Sequence, residues 1–202
     1  MAKKPEANIE PINASFGEVV DAMVGKTTSE HDSDEMLIAT HLGILPIGGL
    51  QLECYVLEDG RRVFHKRGMA KALGLKSEGG NAFMKTLSRK GLGSELDESL
   101  WDKINNPIVF KSLGSDPAHG YEAEVLVDVC KAVLRAKGAG KLTKSQETIA
   151  AQSQAIVNAL AKIGIVALID EATGYQSERS PDALRLLVDA YIEKEMREWE
   201  KE

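Results

Sequence analysis

The residues best placed to do chemistry stand at Gly164-Ile165-Val166-Ala167-Leu168-Ile169-Asp170-Glu171, where an apolar run ends in two adjacent carboxylates. The magnesium-holding strand of a nucleotide hydrolase has this form, and an acidic pair used that way would make the chain an ATPase. That chemistry also needs a phosphate cradle, GxxxxGK[ST], opening a helix after a buried strand. Gly25-Lys26-Thr27 supplies the end of such a motif, but Val20 stands where its first glycine belongs. The preceding "NASFGEVVDAMV" has the pattern of a helix or tail, with Gly25 as the cap that ends it. The context of the acids fails as well. Ile156, Val157, Leu160, Ile163, Ala167 and Leu168 carry a 3.6-residue period straight into the pair, so "GIVALI" finishes a helix. The two failures together argue against a hydrolase.

Carboxylates at a helix C-terminus face the negative end of the dipole, at a cost of about 0.3–1 kcal/mol each when exposed. Arg179, across the "ATGYQSE" loop, is the nearest compensating charge. Asp170 or Glu171 is therefore expected to pair with Arg179 as a loop staple, with Tyr175 packed over a helical hairpin. Paired acids without histidine or metal ligands specify no reaction. His31, His41, His65 and His119 have no ligand spacing with each other or with Cys54 and Cys130, and the two cysteines form no CxxC. No catalytic residue, metal or cofactor is expected. The bulk composition, 43% apolar and 28% charged, describes a soluble globular protein. There is no secretory leader or membrane-spanning run, which points to a reduced cytoplasmic setting.

The net charge of −6 conceals an uneven distribution. Arg61 to Gly93 holds nine Lys/Arg against one acid, Glu78, and Val129 to Gln146 holds five against none. The remainder of the chain carries −19. The first cluster comprises Arg61, Arg62, Lys66, Arg67, Lys71, Lys76, Lys85, Arg89 and Lys90, and with Asn81 it forms the candidate DNA-binding set. Its cations would track phosphates, while Asn81, Ser88 and the arginines could reach base edges. About six phosphate contacts would give a log–log salt slope of roughly −5.

The elements that must position these groups follow from local pattern. Residues 1–35, with Pro5, Pro11 and "SEHDSDE", are expected to form a flexible acidic tail. "MLIATHLGILPIGGL" is extended. "LQLECYVL", the turn "EDG" and "RRVFHK" predict a hairpin over 50–65. "RGMAKALGL" is a short helix ended by Gly74, and "AFMKTLSRK" a second basic helix that stops at Gly91. Ala70 and Gly74 have the Ala-x3-Gly spacing of a helix-turn-helix, but Gly80 occupies its next apolar position. After a looser acidic piece, "PIVFKS" predicts a strand, "GSDPAHG" a loop, and "YEAEVLVDVCKAVLRAKG" a helix with Val125, Leu126, Val129, Val133 and Leu134 on one face. Thr143 to Gln146 has capping-box spacing and opens the long helix. Ser180-Pro181 opens the last, whose stripe is Leu184, Leu187, Val188, Tyr191 and Trp199.

"IGIVALIDEATGYQSER", followed by a helix ending "YIEKEMREWEK", closely resembles the P-sixty-three-C domain of phage and prophage proteins over Ile163 to Trp199. The motif loop is Asp170, Glu171, Thr173, Gly174, Tyr175, Gln176 and Arg179. The resemblance implies an accessory C-terminal module of regulator-like phage proteins. The family pattern continues beyond the tryptophan with a "KTFP"-like segment, whereas this chain stops at Glu202, which implies a shortened or truncated member. Residues 36–145 resemble the Bro-N class of antirepressor domains, through "VFHKRGMAKALGL" and "GYEAEVLVDVCKAVL". That resemblance implies DNA binding or antirepression.

The expected fold is α+β: an N-terminal β-hairpin with short helices, then a C-terminal antiparallel helical hairpin. Three parts are expected: a tail (1–35), a Bro-N-like domain (36–145) and a P-sixty-three-C-like helical domain (146–202). The expected function is that of a phage or prophage regulatory protein in the bacterial cytoplasm, antirepressor-like, non-enzymatic, binding DNA through 61–90. The alternative is an antirepressor or anti-defence factor that binds a repressor or other protein through the helical hairpin, using a Tyr175/Trp199 face, without touching DNA. Helical hairpins commonly associate, which allows a homodimer.

Overall fold

The computed structural model describes residues 36–47, 50–75, 81–112 and 117–201. The expected acidic tail, the Gly25-Lys26-Thr27 segment, Lys76 and Gly80 lie outside the described residues. Met36–Glu202 forms one compact unit.

The fold is α+β. Among the described residues five strands, β1 (Leu37–Ile47), β2 (Leu50–Leu57), β3 (Arg62–His65), β4 (Ile108–Lys111) and β5 (Pro117–Glu122), close a small barrel in the order β1-β2-β3-β5-β4. The expected 50–65 hairpin is there: Cys54 pairs with Phe64 and Val56 with Arg62 around the Asp59-Gly60 turn. The strand β1 runs antiparallel to β2 and closes the barrel through a short parallel contact with β4, Leu37 opposite Phe110. Inside, Ala39, Tyr55, Leu57, Val63, Phe110 and Ala118 form a compact cluster, with Tyr55 and Phe110 edge to face at 5.0 Å.

The segment expected as the loop "GSDPAHG" is instead, from Pro117 onward, the strand β5. It hydrogen-bonds to β3 on one side and β4 on the other, so its conformation is set by the barrel and not by its turn-prone residues. Gly120 fits because its backbone passes close to β3: an added Cβ would lie 2.7 Å from the Phe64 carbonyl oxygen and 3.0 Å from the Phe110 ring. The helix that follows consequently starts at Ala123, with Tyr121 and Glu122 still in the strand.

The helices are α1 (Lys66–Ala72), α2 (Ala82–Leu87), α3 (Lys90–Gly93), α4 (Glu98–Asn105), α5 (Ala123–Gly138), α6 (Glu147–Thr173) and α7 (Ala183–Trp199). The basic helix expected to run unbroken to Lys90 splits between α2 and α3. The Ser88 hydroxyl turns back onto the Met84 carbonyl at 2.8 Å, and Arg89 adopts an extended conformation. The looser acidic piece holds a real helix, α4, whose cap Asp97 accepts from the Leu100 N–H at 2.8 Å. The Thr143–Gln146 capping box forms and leads through a single 3-10 turn into α6. The last helix begins at Ala183, two residues later than Ser180-Pro181 suggests. The Ser180 carbonyl accepts from the Ala183 N–H, so these residues make a turn ahead of the helix.

The main core lies outside the barrel. It runs from Ile47, Leu52 and Phe64 through Met69, Phe83, Leu126, Val129 and Val133 to Ile156, Val188 and Ile192, crossing residue 145 without interruption. The helix α6 has 27 residues, about 40 Å of length. Its first half fills the core with Ile149, Ala150, Ala155, Ile156 and Ala159, whereas beyond Ala159 only Ile163 and Asp170 are buried. With α7 it forms the expected antiparallel helical hairpin.

Candidate nucleic-acid interface

Four buried residues of α1, Gly68, Met69, Ala70 and Ala72, fasten it to the core and turn Lys66, Arg67 and Lys71 toward solvent. The helix starts where His65 Nδ1 accepts the Arg67 N–H at 3.2 Å. Burial pushes the His65 pKa down, with Arg67 and His119 adding to the effect and Glu53 opposing it, so the ring is held in the neutral form that can accept. In α2, Phe83, Thr86 and Leu87 are buried, and Lys85 projects outward with Arg89 four residues on. Asn81 is exposed just ahead of α2, and Lys90 opens α3.

Lys85 and Arg89 border a cleft of about 550 Å³. Its other walls are Gly74 and Leu75 after α1, Ala82 and Thr86 of α2, and Ser145, Thr148 and Ile149 where α6 begins. The cleft thus combines two cations, three hydroxyl-bearing residues and the start of α6, whose first turn also carries Glu147, a set that can offer donors to phosphate oxygens. Among the described residues no carboxylate forms an ion pair with Lys66, Arg67, Lys85 or Arg89. Ser145 and Thr148 were not in the expected set. Their signal in the sequence was the capping box itself, which marks where a helix offers unsatisfied N–H groups.

Arg61 and Arg62 do not join this cleft. Arg61 is turned toward its own neighbours, 2.7 Å from Asp59 and 3.8 Å from Glu122, and borders a separate concavity of about 210 Å³ with Lys103 and Asn106. Arg62 donates to the Gly60 carbonyl at 2.9 Å and edges an apolar groove containing Leu42, Val56 and Phe64. The second basic run is largely engaged within the fold. Lys141 and Arg135 both reach Glu95, Lys131 pairs with Asp128 at 3.3 Å, and Lys137 sits 3.6 Å over the Trp199 ring. The partial helix-turn-helix spacing produces no such motif. The α2 helix has only six residues, and α1 and α2 are joined by more than the three or four residues that motif uses.

The motif loop is built as a staple. Asp170 is buried at the end of α6 and ion-paired with Arg179. Gly174 ends the helix with φ of 79°, the left-handed conformation that glycine adopts without strain. Thr173 donates to the Ile169 carbonyl at 2.8 Å, and the Arg179 N–H donates to the Tyr175 carbonyl at 3.0 Å. Glu171, Tyr175 and Gln176 are exposed. Tyr175 therefore does not cover the hairpin as expected. It also shares no face with Trp199: the two lie at opposite ends of α7, whose 17 residues span about 25 Å.

Among the described residues no three His, Cys, Asp or Glu side chains gather as metal ligands, and no helix is long and apolar enough to cross a membrane. Burial pushes the Cys130 thiol up to about 12, which keeps it protonated. Compared with family models, with curated proteins and with solved structures, the chain finds no match.

Proposed function

We propose that this is a phage or prophage regulatory protein of the antirepressor kind, working in the bacterial cytoplasm, that grips the DNA backbone with the α1–α2 basic surface. The observation that carries the reading is the Lys85–Arg89 cleft, where two cations that pair with no carboxylate among the described residues meet hydroxyls and the start of α6. The resemblance of Ile163–Trp199 and of residues 36–145 to phage regulator domains supports it. No catalytic step is part of it: of the acidic pair, Asp170 is taken up by Arg179 and Glu171 stands exposed.

Backbone contact has a quantitative signature. Lys66, Arg67, Lys85 and Arg89 as four phosphate contacts give a log–log salt slope of about −3.6 on duplex DNA, shallower than the −5 of six contacts. Affinity then falls about 150-fold between 50 and 200 mM salt, and only about 12-fold once two of the contacts are removed. The experiment is fluorescence-anisotropy titration of a labelled duplex at these two salt concentrations, with the native chain, Lys85→Ala/Arg89→Ala and Arg61→Gln. Halving of the slope by the double change, with Arg61→Gln close to native, is the expected result. A slope unaffected by the double change removes the reading.

A further inference from the structure

We propose that the outer stripe of α6, formed by Ala161, Ile165, Leu168 and Ala172, is a two-fold surface on which a second copy of this chain docks. At 100° per residue these four side chains fall within roughly 60° of one another. They stand opposite the face that carries Ile163, Val166, Ala167 and Asp170 toward α7. The seven residues Ile163–Ile169 contain no charge and are apolar on every side of the helix. A helix apolar all round belongs in an interior, yet Ile165, Leu168 and Ile169 are 56%, 63% and 55% exposed.

The pattern of the stripe says what covers it. Its spacing is 4-3-4, the seam of a coiled coil, and its sizes run small, large, large, small. Read from either end the pattern is the same, so a two-fold axis between Val166 and Ala167 sets alanine against alanine and large residue against large residue. This register suits an isologous contact, in which each residue meets its symmetry-related counterpart in both directions. Gly164, beside the stripe, has open space around it and leaves room for close approach. Of the charges that flank the stripe, Lys162 is held by Glu195 at 2.9 Å, and Glu171 is exposed beside Ala172, where the two-fold axis sets it opposite Lys162 of the second copy. A large apolar side chain offers about 200 Å² when free, so Ile165, Leu168 and Ile169 contribute about 350 Å² per copy. Some 700 Å² over both copies, counting Ile169 at the stripe's edge and before the alanines, is below the ~1,200 Å² of standard interfaces and fits a weak, concentration-dependent dimer.

Leu186 provides the control. It is 63% exposed, like Leu168, but it projects from α7 on the side away from buried Val188 and Ile192, and it lies outside the stripe. The test is sedimentation velocity of the full chain over about a hundredfold concentration range. Circular dichroism would confirm that each variant folds. The native chain and Leu186→Lys are expected to pass from monomer to dimer, and Leu168→Lys to remain monomeric throughout. The proposal is overturned by a native chain that stays monomeric, by a dimer that survives Leu168→Lys, or by one that Leu186→Lys disrupts as strongly. It does not depend on DNA binding, and a salt-independent anisotropy result would leave it standing.

Discussion

Replacing Arg179 with methionine should destabilise the protein far more than an ordinary surface change. The guanidinium pairs with Asp170, and the two side chains are only 21% and 11% exposed. Removing one member of a buried pair costs about 3–5 kcal/mol, because the other charge stays buried and uncompensated. Arg179 is partly open to water, which lowers the figure to about 3 kcal/mol. The stranded carboxylate would also face the negative end of α6, adding about 0.5 kcal/mol. Asp170→Asn removes the charge that needs compensation and should cost less, about 1–2 kcal/mol. The double variant should be more stable than the sum of the single losses predicts, with a coupling of at least about 1 kcal/mol. Urea unfolding of the four proteins measures this directly, and the melting temperature of Arg179→Met should fall by about 6–12 °C. A loss below about 0.5 kcal/mol, with unchanged hydrogen-exchange protection at the end of α6, would refute the staple.

Two further outcomes follow from the barrel and its neighbours. His65 has a depressed pKa in the folded protein, so its contribution is complete above the ordinary histidine value near 6.5 and is lost as pH falls through the folded value. The urea midpoint should therefore decline on acidification below about pH 6.5, and His65→Asn, which keeps a cap acceptor but cannot titrate, should flatten that decline. Alanine at Gly120 should cost about 2 kcal/mol or more because its Cβ meets the Phe64 carbonyl, whereas alanine at Gly164, in open helix, should stabilise by about 0.5–1 kcal/mol. Thermal melts of the two variants should shift in opposite directions.

The elements legible in the sequence were those whose period and punctuation agree. The 50–65 hairpin has alternating apolar residues around Asp59-Gly60, and α6 has a capping box at its start, although it runs on past Ile169 to Thr173. The Asp170–Arg179 pairing could be anticipated because an acid at a helix C-terminus requires a counter-charge. What escaped was decided by partners distant in the chain. Pro117 and Gly120 looked like loop residues, and only the flanking strands β3 and β4 make them a strand. Lys141 and Arg135 looked like part of a free basic run, but Glu95, some forty residues away, engages both. Linear charge density singled out Lys85 and Arg89, which line the cleft, yet it could not show that Arg61 turns back onto Asp59 and Glu122. Nor could it bring Ser145 and Thr148 to the same cleft.

The strand order of the barrel has a consequence for how the chain is made. The strand β3 waits for β5, and β1 for β4, before either has its second neighbour. Roughly sixty residues separate His65 from Glu122, so at a synthesis rate of about 5–20 residues per second the first three strands emerge some 3–12 s ahead of their closure. During that interval their unpaired backbone groups are open to nascent chains on neighbouring ribosomes, and holdase chaperones have their clearest opportunity to act on this protein.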